Sequence, residues 1–148
     1  QGIDQIRALF SANKDRTPEA LDKVASGGAL GRVMLALISL SAGSLGLPTL
    51  VFDEIDTGVS GEVADRVGLL MKQMARQHQV IAITHLPQIA SKGDAHLLVT
   101  KDHEAEAVTS TIRPLNSEER LQALAQMLSG RKTSKAAVEN ARELLKRR

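Results

Sequence analysis

The chain has 148 residues, enough for one domain with a substantial core. Its net charge of +2 is too small to indicate nucleic-acid binding by itself, and the absence of cysteine excludes disulfides and thiolate metal sites. Tryptophan and tyrosine are also absent, which disfavours a base-stacking surface, and the sequence shows neither a signal peptide nor an apolar run of about 18 residues, the length of a membrane span.

Strands and helices are predicted to alternate along the chain. In order, the hydrophobic periodicity predicts a strand at 3–10, a polar loop at 13–18, a helix at 29–40, a strand at 49–53, a helix at 62–77, a strand at 80–84, a short helix at 87–91, strands at 95–100 and 107–113, and helices at about 117–129 and 133–147. The apolar strands at 49–53 and 80–84 are typical of a buried parallel sheet, whereas 95–100 and 107–113 are expected to form a hairpin. We therefore predict a single α/β lobe, in which helices flank a mainly parallel sheet.

Two adjacent carboxylates, Asp53 and Glu54, end the strand at 49–53. An unpaired buried carboxylate is costly, and α/β proteins place their ligands at the carboxyl edge of the sheet. The pair therefore suggests a divalent metal and a reacting water, as in a Walker B strand of a nucleotide hydrolase. Because side chains alternate along a strand, the second acid is expected where the strand breaks into a loop. The alternative is a strand end whose acids are simply solvated.

Ser26, Gly27 and Gly28 precede the predicted helix at 29–40. Two glycines allow close approach of the backbone to a ligand, and the free N–H groups of a first helical turn favour an anion. Taken alone, the motif indicates helix capping by Ser26 more strongly than ligand binding.

Two further sites follow predicted strands. His85 comes directly after the strand at 80–84, where an imidazole can contact a phosphate or an attacking water, although a lone histidine is more often structural. The turn at 56–61 holds Gly58 and Gly61, and its Asp56 and Ser60 can bridge to a partner. By itself this segment is only a loop.

The order of these four motifs resembles the second half of an ABC-type ATPase head. In detail, the sequences Lys-Val-Ala-Ser-Gly-Gly at 23–28, Phe-Asp-Glu-Ile-Asp-Thr-Gly-Val-Ser-Gly at 52–61 and Ile-Thr-His-Leu-Pro-Gln-Ile-Ala at 83–90 resemble the RecN family. These are bacterial double-strand-break repair proteins related to the SMC family. The resemblance extends from about Leu9 to the last helix, and it implies the C-terminal lobe of an SMC-like ATPase head that is cytoplasmic and associated with the nucleoid.

The resemblance implies a role for each motif in a site for ATP and Mg²⁺. Asp53 in the Walker B segment (49–54) would bind Mg²⁺, Glu54 would be the catalytic carboxylate, and His85 in the H-loop (84–86) would sense the γ-phosphate. Ser26, Gly27 and Gly28 in the signature motif (26–32) would contact ATP held by a second head of a homodimer. Asp56 in the D-loop (56–61) would act in the loop that faces this head.

The sequence departs from the family pattern in two respects. Ala29 and Gly31 stand where RecN-like signatures usually have glutamate and serine, which removes a favourable charge from the first helical turn. No Gly-x-x-x-x-Gly-Lys-Ser/Thr motif occurs in the chain, so a Walker A loop must come from elsewhere. The resemblance places it in an N-terminal half of the same protein, separated by a coiled coil. The chain begins with Gln1, and we expect a fragment that has no ATPase activity alone.

Two alternatives to a RecN-type head remain open. The first is a head fragment of another SMC-like or RecF-like ATPase, a transporter head being disfavoured, and the second is a degenerate module used only for docking. Within the helical C-terminal segment (117–148), the basic terminal helix either touches DNA phosphates, as the full-length protein is expected to do, or is a solvated helix whose cations complement its dipole. We favour the solvated helix.

Overall fold

Helices alternate with strands in the computed structural model, which describes residues 7, 9–11, 17–20, 27–102, 109–130 and 132–147. The described elements are β1 (Leu9–Phe10), β2 (Glu19–Ala20), α1 (Gly27–Leu45), β3 (Thr49–Asp53), α2 (Gly61–Met74), β4 (Gln79–Ile83), α3 (Pro87–Ala90), β5 (Leu97–Asp102), β6 (Thr109–Pro114), α4 (Ser117–Ser129) and α5 (Lys135–Lys146). The predicted α/β class is confirmed. Most of the predicted strand at 3–10, and Ser26, lie outside the described residues.

The strands β3 and β4 form a parallel pair that aligns the two loops of interest. Their register runs from Thr49 opposite Gln79 to Asp53 opposite Ile83, and α2 connects them. Because both strands end at the same edge, the loops that begin at residues 54 and 84 lie side by side. Among the described residues, parallel pairing occurs only here, while β1–β2 and β5–β6 are antiparallel. The β5–β6 hairpin was predicted.

The prediction that these strands are buried on both faces is wrong for the described structure. Leu50 and Phe52 are buried, but Val51, Ile81 and Ile83 are 62%, 43% and 55% exposed. The physical reason is that elements of the described chain cover only one face of the β3–β4 pair. Parallel sheets normally have both faces covered, so an apolar face is left open, and Asp53 shares it because side chains alternate along β3.

The core is aliphatic apart from Phe52, as the composition predicts, and it consists of two clusters. The larger cluster lies between the covered face of the β3–β4 pair and the helices α1 and α2, and its buried residues are Leu35, Ala42, Leu50, Phe52, Val59, Ala64, Val67, Met71, Met74 and Ile89. The smaller cluster joins α4 to α5 through Leu121, Leu124, Ala125, Ala137 and Ala141.

Element boundaries differ from the predictions by a few residues. The helix α1 continues past Gly43 and ends before Gly46, whose φ of +61° is the left-handed conformation that favours glycine after a helix. The helix α2 stops at Met74 instead of residue 77. The helix α4 begins with a capping box in which Asn116 and Glu119 bond each other's backbone, close to the predicted start at 117.

Two buried cations attach the terminal helices to the segment after α3. Lys92 forms an ion pair with Asp65 at 2.8 Å and donates to the carbonyl of Arg147 at 3.0 Å. Arg120 donates to the carbonyl oxygens of Ser91 and Gly93. The terminal helices are therefore part of the lobe. Among the described residues, no helix combines the length and the apolar character that a membrane span requires.

Candidate functional site at the edge of the parallel strands

The adjacent acids Asp53 and Glu54 occupy the edge where β3 ends. Asp53 is the last residue of the strand, and both side chains are exposed. Glu54 has a φ of +53°, in the left-handed region that residues other than glycine rarely adopt. The strand breaks between the two acids, as side-chain alternation predicts.

The turn after Glu54 holds this unusual backbone in place. The amide and the hydroxyl of Thr57 both donate to the carbonyl oxygen of Glu54, at 3.2 Å and 3.0 Å. A left-handed conformation costs a non-glycine residue about 1–2 kcal/mol, and such residues cluster at functional sites. The strain at Glu54 is therefore a reason, independent of any motif, to regard this acid as functional.

Asp56 lies inside the lobe, with only 2% of its surface exposed. Its Oδ2 atom accepts hydrogen bonds from the Thr84 hydroxyl at 2.6 Å and from the His85 amide at 3.0 Å, and it lies 3.1 Å from Nδ1 of His85. Burial raises the pKa of Asp56, but the hydrogen bonds from Thr84 and His85, with the charge of His85, outweigh burial and lower the pKa below its usual value. The carboxylate thus turns towards its own lobe, and the action of Asp56 towards a second head stays a prediction.

His85 is the second residue after β4 and belongs to the loop beside Glu54. Its imidazole is 76% exposed although Nδ1 faces Asp56. The hydroxyl of the preceding Thr84 accepts from the amide of Leu86 at 3.0 Å, so that Thr84 links Asp56 to the start of α3. Sequence reasoning gave Thr84 no role. The signal was a hydroxyl residue next to the histidine at the strand end.

Gly27 and Gly28 open α1, and Gly28 lies against the loop that follows Glu54. A Cβ atom placed on Gly28 would lie 2.6 Å from the carbonyl oxygen of Thr57 and 3.4 Å from the Cα atom of Gly58. Since real Cβ atoms do not approach backbone so closely, position 28 requires glycine for packing. At Gly31 a Cβ atom would make only an ordinary contact with Ile55, so the structure accommodates a side chain there.

The carboxylates at this edge fit part of a magnesium site. Among the described residues, no group of three or more histidine, aspartate or glutamate side chains is arranged to hold a metal ion. Mg²⁺ bound to a nucleotide usually takes only one or two protein carboxylates and completes its shell with phosphates and water. The carboxylate of Asp53, exposed at the strand end, is accessible for such a role.

Comparison with known proteins relates this chain to part of a longer protein. No family model matches the chain. Over 144 residues, 97% of its length, it is 44% identical to DNA repair protein RecN of Rickettsia bellii (strain RML369-C). Over 146 residues it is 38% identical to DNA repair protein RecN of Bacillus subtilis (strain 168). The chain is a homologue of part of RecN. It spans about a quarter of the length of the RecN proteins it matches, 26% and 25% in these two.

Solved structures agree with the RecN relationship at the level of fold. The Smc head domain with a coiled coil and joint derived from Pyrococcus yayanosii matches 76% of this chain and 21% of its own, with a TM-score of 0.64 and 24% identity. A chain from a study of ATP-driven dimerization and DNA-stimulated activation of SMC ATPases matches 80% of this chain and 70% of its own, with a TM-score of 0.61 and 20% identity. The predicted SMC-head fold is confirmed.

Proposed function

We propose that this RecN homologue is the C-terminal part of an ATPase head that acts in DNA double-strand-break repair and recombination. The observation that carries the proposal is the edge of the β3–β4 pair. There the exposed Asp53 and the strained Glu54 lie at the end of β3, and the exposed His85 lies in the neighbouring loop after β4. The relatives named DNA repair protein RecN support the biological setting.

In the proposed reaction each side chain has a separate task. Asp53 would hold Mg²⁺, and the bound ion would neutralise the charge that develops during phosphoryl transfer. Glu54 orients the attacking water and accepts its proton. His85 contacts the γ-phosphate. Because the backbone at Glu54 is left-handed, its side chain does not follow the alternation of β3. Asp53 and Glu54 can therefore have different roles although they are neighbours.

Two features indicate which partners this lobe has: the open apolar face of the β3–β4 pair and the absence of a Walker A motif from the sequence. An N-terminal half of the same protein would bring the Walker A loop and cover the apolar face formed by Val51, Ile81 and Ile83. Ser26, Gly27 and Gly28 would meet ATP held by a second head, and Gly28 lies against the loop that holds Asp56. The contact between Gly28 and Thr57 supports a joint surface of these two segments. The complete protein would act on DNA.

A docking-only module is the competing function, and the strain at Glu54 argues against it. A loop used solely for docking has no need of a glutamate at a position where glycine is less costly. The substitutions at Ala29 and Gly31 affect the first turns of α1 and leave the edge of β3 and β4 unchanged. A head of another SMC-like or RecF-like ATPase is disfavoured by the 38–44% identity to RecN proteins.

The role of Glu54 is tested in a complete head, by which we mean this chain combined with the segment that carries the Walker A loop. We expect Glu54→Gln to lower kcat roughly 100-fold or more, because the amide cannot accept the proton of the water. Binding of ATP should persist.

Glu62→Gln is the matched control for this test. Glu62 is also exposed, but it lies in the first turn of α2 and pairs with Arg66. The control should hydrolyse ATP at the wild-type rate. Equal rates for wild type and Glu54→Gln would refute the assignment of Glu54.

A further inference from the structure

The structure links the two loops of the site through one buried carboxylate oxygen. Oδ2 of Asp56 accepts from the Thr84 hydroxyl and the His85 amide and faces Nδ1 of His85. These partners lie 28 and 29 residues further along the chain. A buried carboxylate is costly unless hydrogen bonds and opposite charge compensate it, so a full set of partners at one oxygen is a specific arrangement.

The same residue is fixed on the other side to the turn that holds Glu54. The carbonyl oxygen of Asp56 accepts from the amide of Val59 at 3.1 Å, and the amide of Thr57 donates to Glu54. Val59 is itself buried in the larger core cluster. The side chain of Asp56 is therefore held at a definite distance from Glu54 by backbone bonds, and it holds the His85 loop in turn.

The imidazole of His85 has an orientation that follows from this contact. Nδ1 is directed at Asp56, so Nε2, on the opposite side of the ring, is directed away from it. Most of the ring is exposed. A carboxylate that binds one ring nitrogen of a histidine orients the other nitrogen for its task, as in metal sites and hydrolase triads.

We propose that Asp56 is a positioning residue that acts within its own lobe, where it holds His85 in register with Glu54 through Thr84 and Nδ1 of the imidazole. This role rests on the proposed ATPase function and adds to it a residue that sets the geometry of the reacting groups. It differs from the role implied by the family resemblance, in which Asp56 acts in the loop facing another head.

The decisive variant is Thr84→Val, which keeps the side-chain shape and removes the hydroxyl that joins Asp56 to Leu86. In the complete head we expect kcat to fall roughly 10- to 100-fold, the range that misplacement of a reacting group by about 1 Å produces. The KM for ATP should change less than about twofold, because Thr84 itself does not touch the nucleotide. Thr100→Val is the matched control, since the Thr100 hydroxyl bonds across the β5–β6 hairpin to Thr111 and lies in a different pair of strands.

Substitutions of Asp56 separate positioning from mere stability. Asp56→Asn keeps an oxygen that can accept from Thr84 and the His85 amide, so it should retain more activity than Asp56→Ala. In a His85→Ala background, Asp56→Ala should lower kcat less than about twofold further, because residues that act as a unit are not additive. Multiplicative losses in the double variant, or wild-type kcat in Thr84→Val, would overturn the proposal.

A second readout distinguishes failure of this inference from failure of the proposed function. Amide hydrogen exchange of His85 and Leu86 in this chain should accelerate in Thr84→Val and Asp56→Ala but not in Thr100→Val. If the wild-type complete head hydrolyses no ATP, the proposed function fails while the exchange data still decide the link. Unchanged exchange at both amides would refute the positioning role whatever the ATPase result.

Discussion

At the scale of single residues, Glu54 combines a strained left-handed backbone with an exposed carboxylate. Its adjacency to Asp53 could be recognised in the sequence, and the rule that neighbouring strand residues face opposite ways predicted a break between them. The left-handed φ of +53° could not be predicted, because it depends on the Thr57 hydrogen bonds that close the turn. The sequence pattern therefore predicts where Glu54 lies along the chain, whereas the turn closed by Thr57 determines its backbone conformation.

Glu54→Gly tests whether the backbone at position 54 is strained. Glycine adopts a positive φ without steric cost, so we expect the free energy of unfolding to stay the same or rise by up to about 1 kcal/mol. Glu54→Val should lower it, since β-branched residues tolerate this region poorly. Chemical denaturation of the three proteins measures both effects. A loss of more than about 1 kcal/mol in Glu54→Gly would show that the backbone at position 54 is unstrained.

The lowered pKa of Asp56 predicts a contribution to stability that depends on pH. A carboxyl group whose pKa is lower in the folded state stabilises the fold above its unfolded pKa of about 3.9. That contribution is lost as the pH falls from about 4 through the folded pKa. We therefore expect the free energy of unfolding to fall more steeply below pH 4 in the wild type than in Asp56→Asn, which lacks the titrating group. Parallel profiles in the two proteins would contradict this expectation.

At the scale of elements, most strands and helices were predictable because each follows one hydrophobic period. The hairpin of β5 and β6 and the parallel order of β3 and β4 were predicted in this way. The open face of the β3–β4 pair was not predicted, because an apolar strand indicates that both faces are covered in the assembled protein and does not show that this chain covers them. The contacts of Asp56 with the loop after β4 were also missed, because they join residues that no local pattern relates.

The close approach of α1 to the loop after Glu54 gives a matched pair of glycine substitutions. Gly28→Ala should destabilise the protein, because its Cβ atom would lie 2.6 Å from the Thr57 carbonyl oxygen. Gly43→Ala, in the same helix with nothing within 4 Å of its Cβ atom, should stabilise it by about 0.5–1 kcal/mol. Thermal unfolding of both variants checks the contrast. Equal changes would mean that α1 does not pack on this loop.

At the scale of the whole molecule, the open face of the β3–β4 pair and the missing Walker A loop have the same explanation. The chain spans about a quarter of the length of its RecN relatives. An additional segment that covers Val51, Ile81 and Ile83 would also stand beside Asp53, which shares their face, and close to Glu54, the next residue along the chain. The acids would then form one wall of an ATP site that needs other segments for its phosphate-binding loop.

ATP hydrolysis by this chain, alone and mixed with the Walker A-bearing segment, tests this account most directly. We predict no measurable turnover from the chain alone, because its sequence contains no Walker A motif to bind the β- and γ-phosphates. Turnover should appear on mixing, and Glu54→Gln should abolish it. Hydrolysis by the chain alone that disappears with Glu54→Gln would contradict the account, as would a mixture that forms a complex and remains inactive.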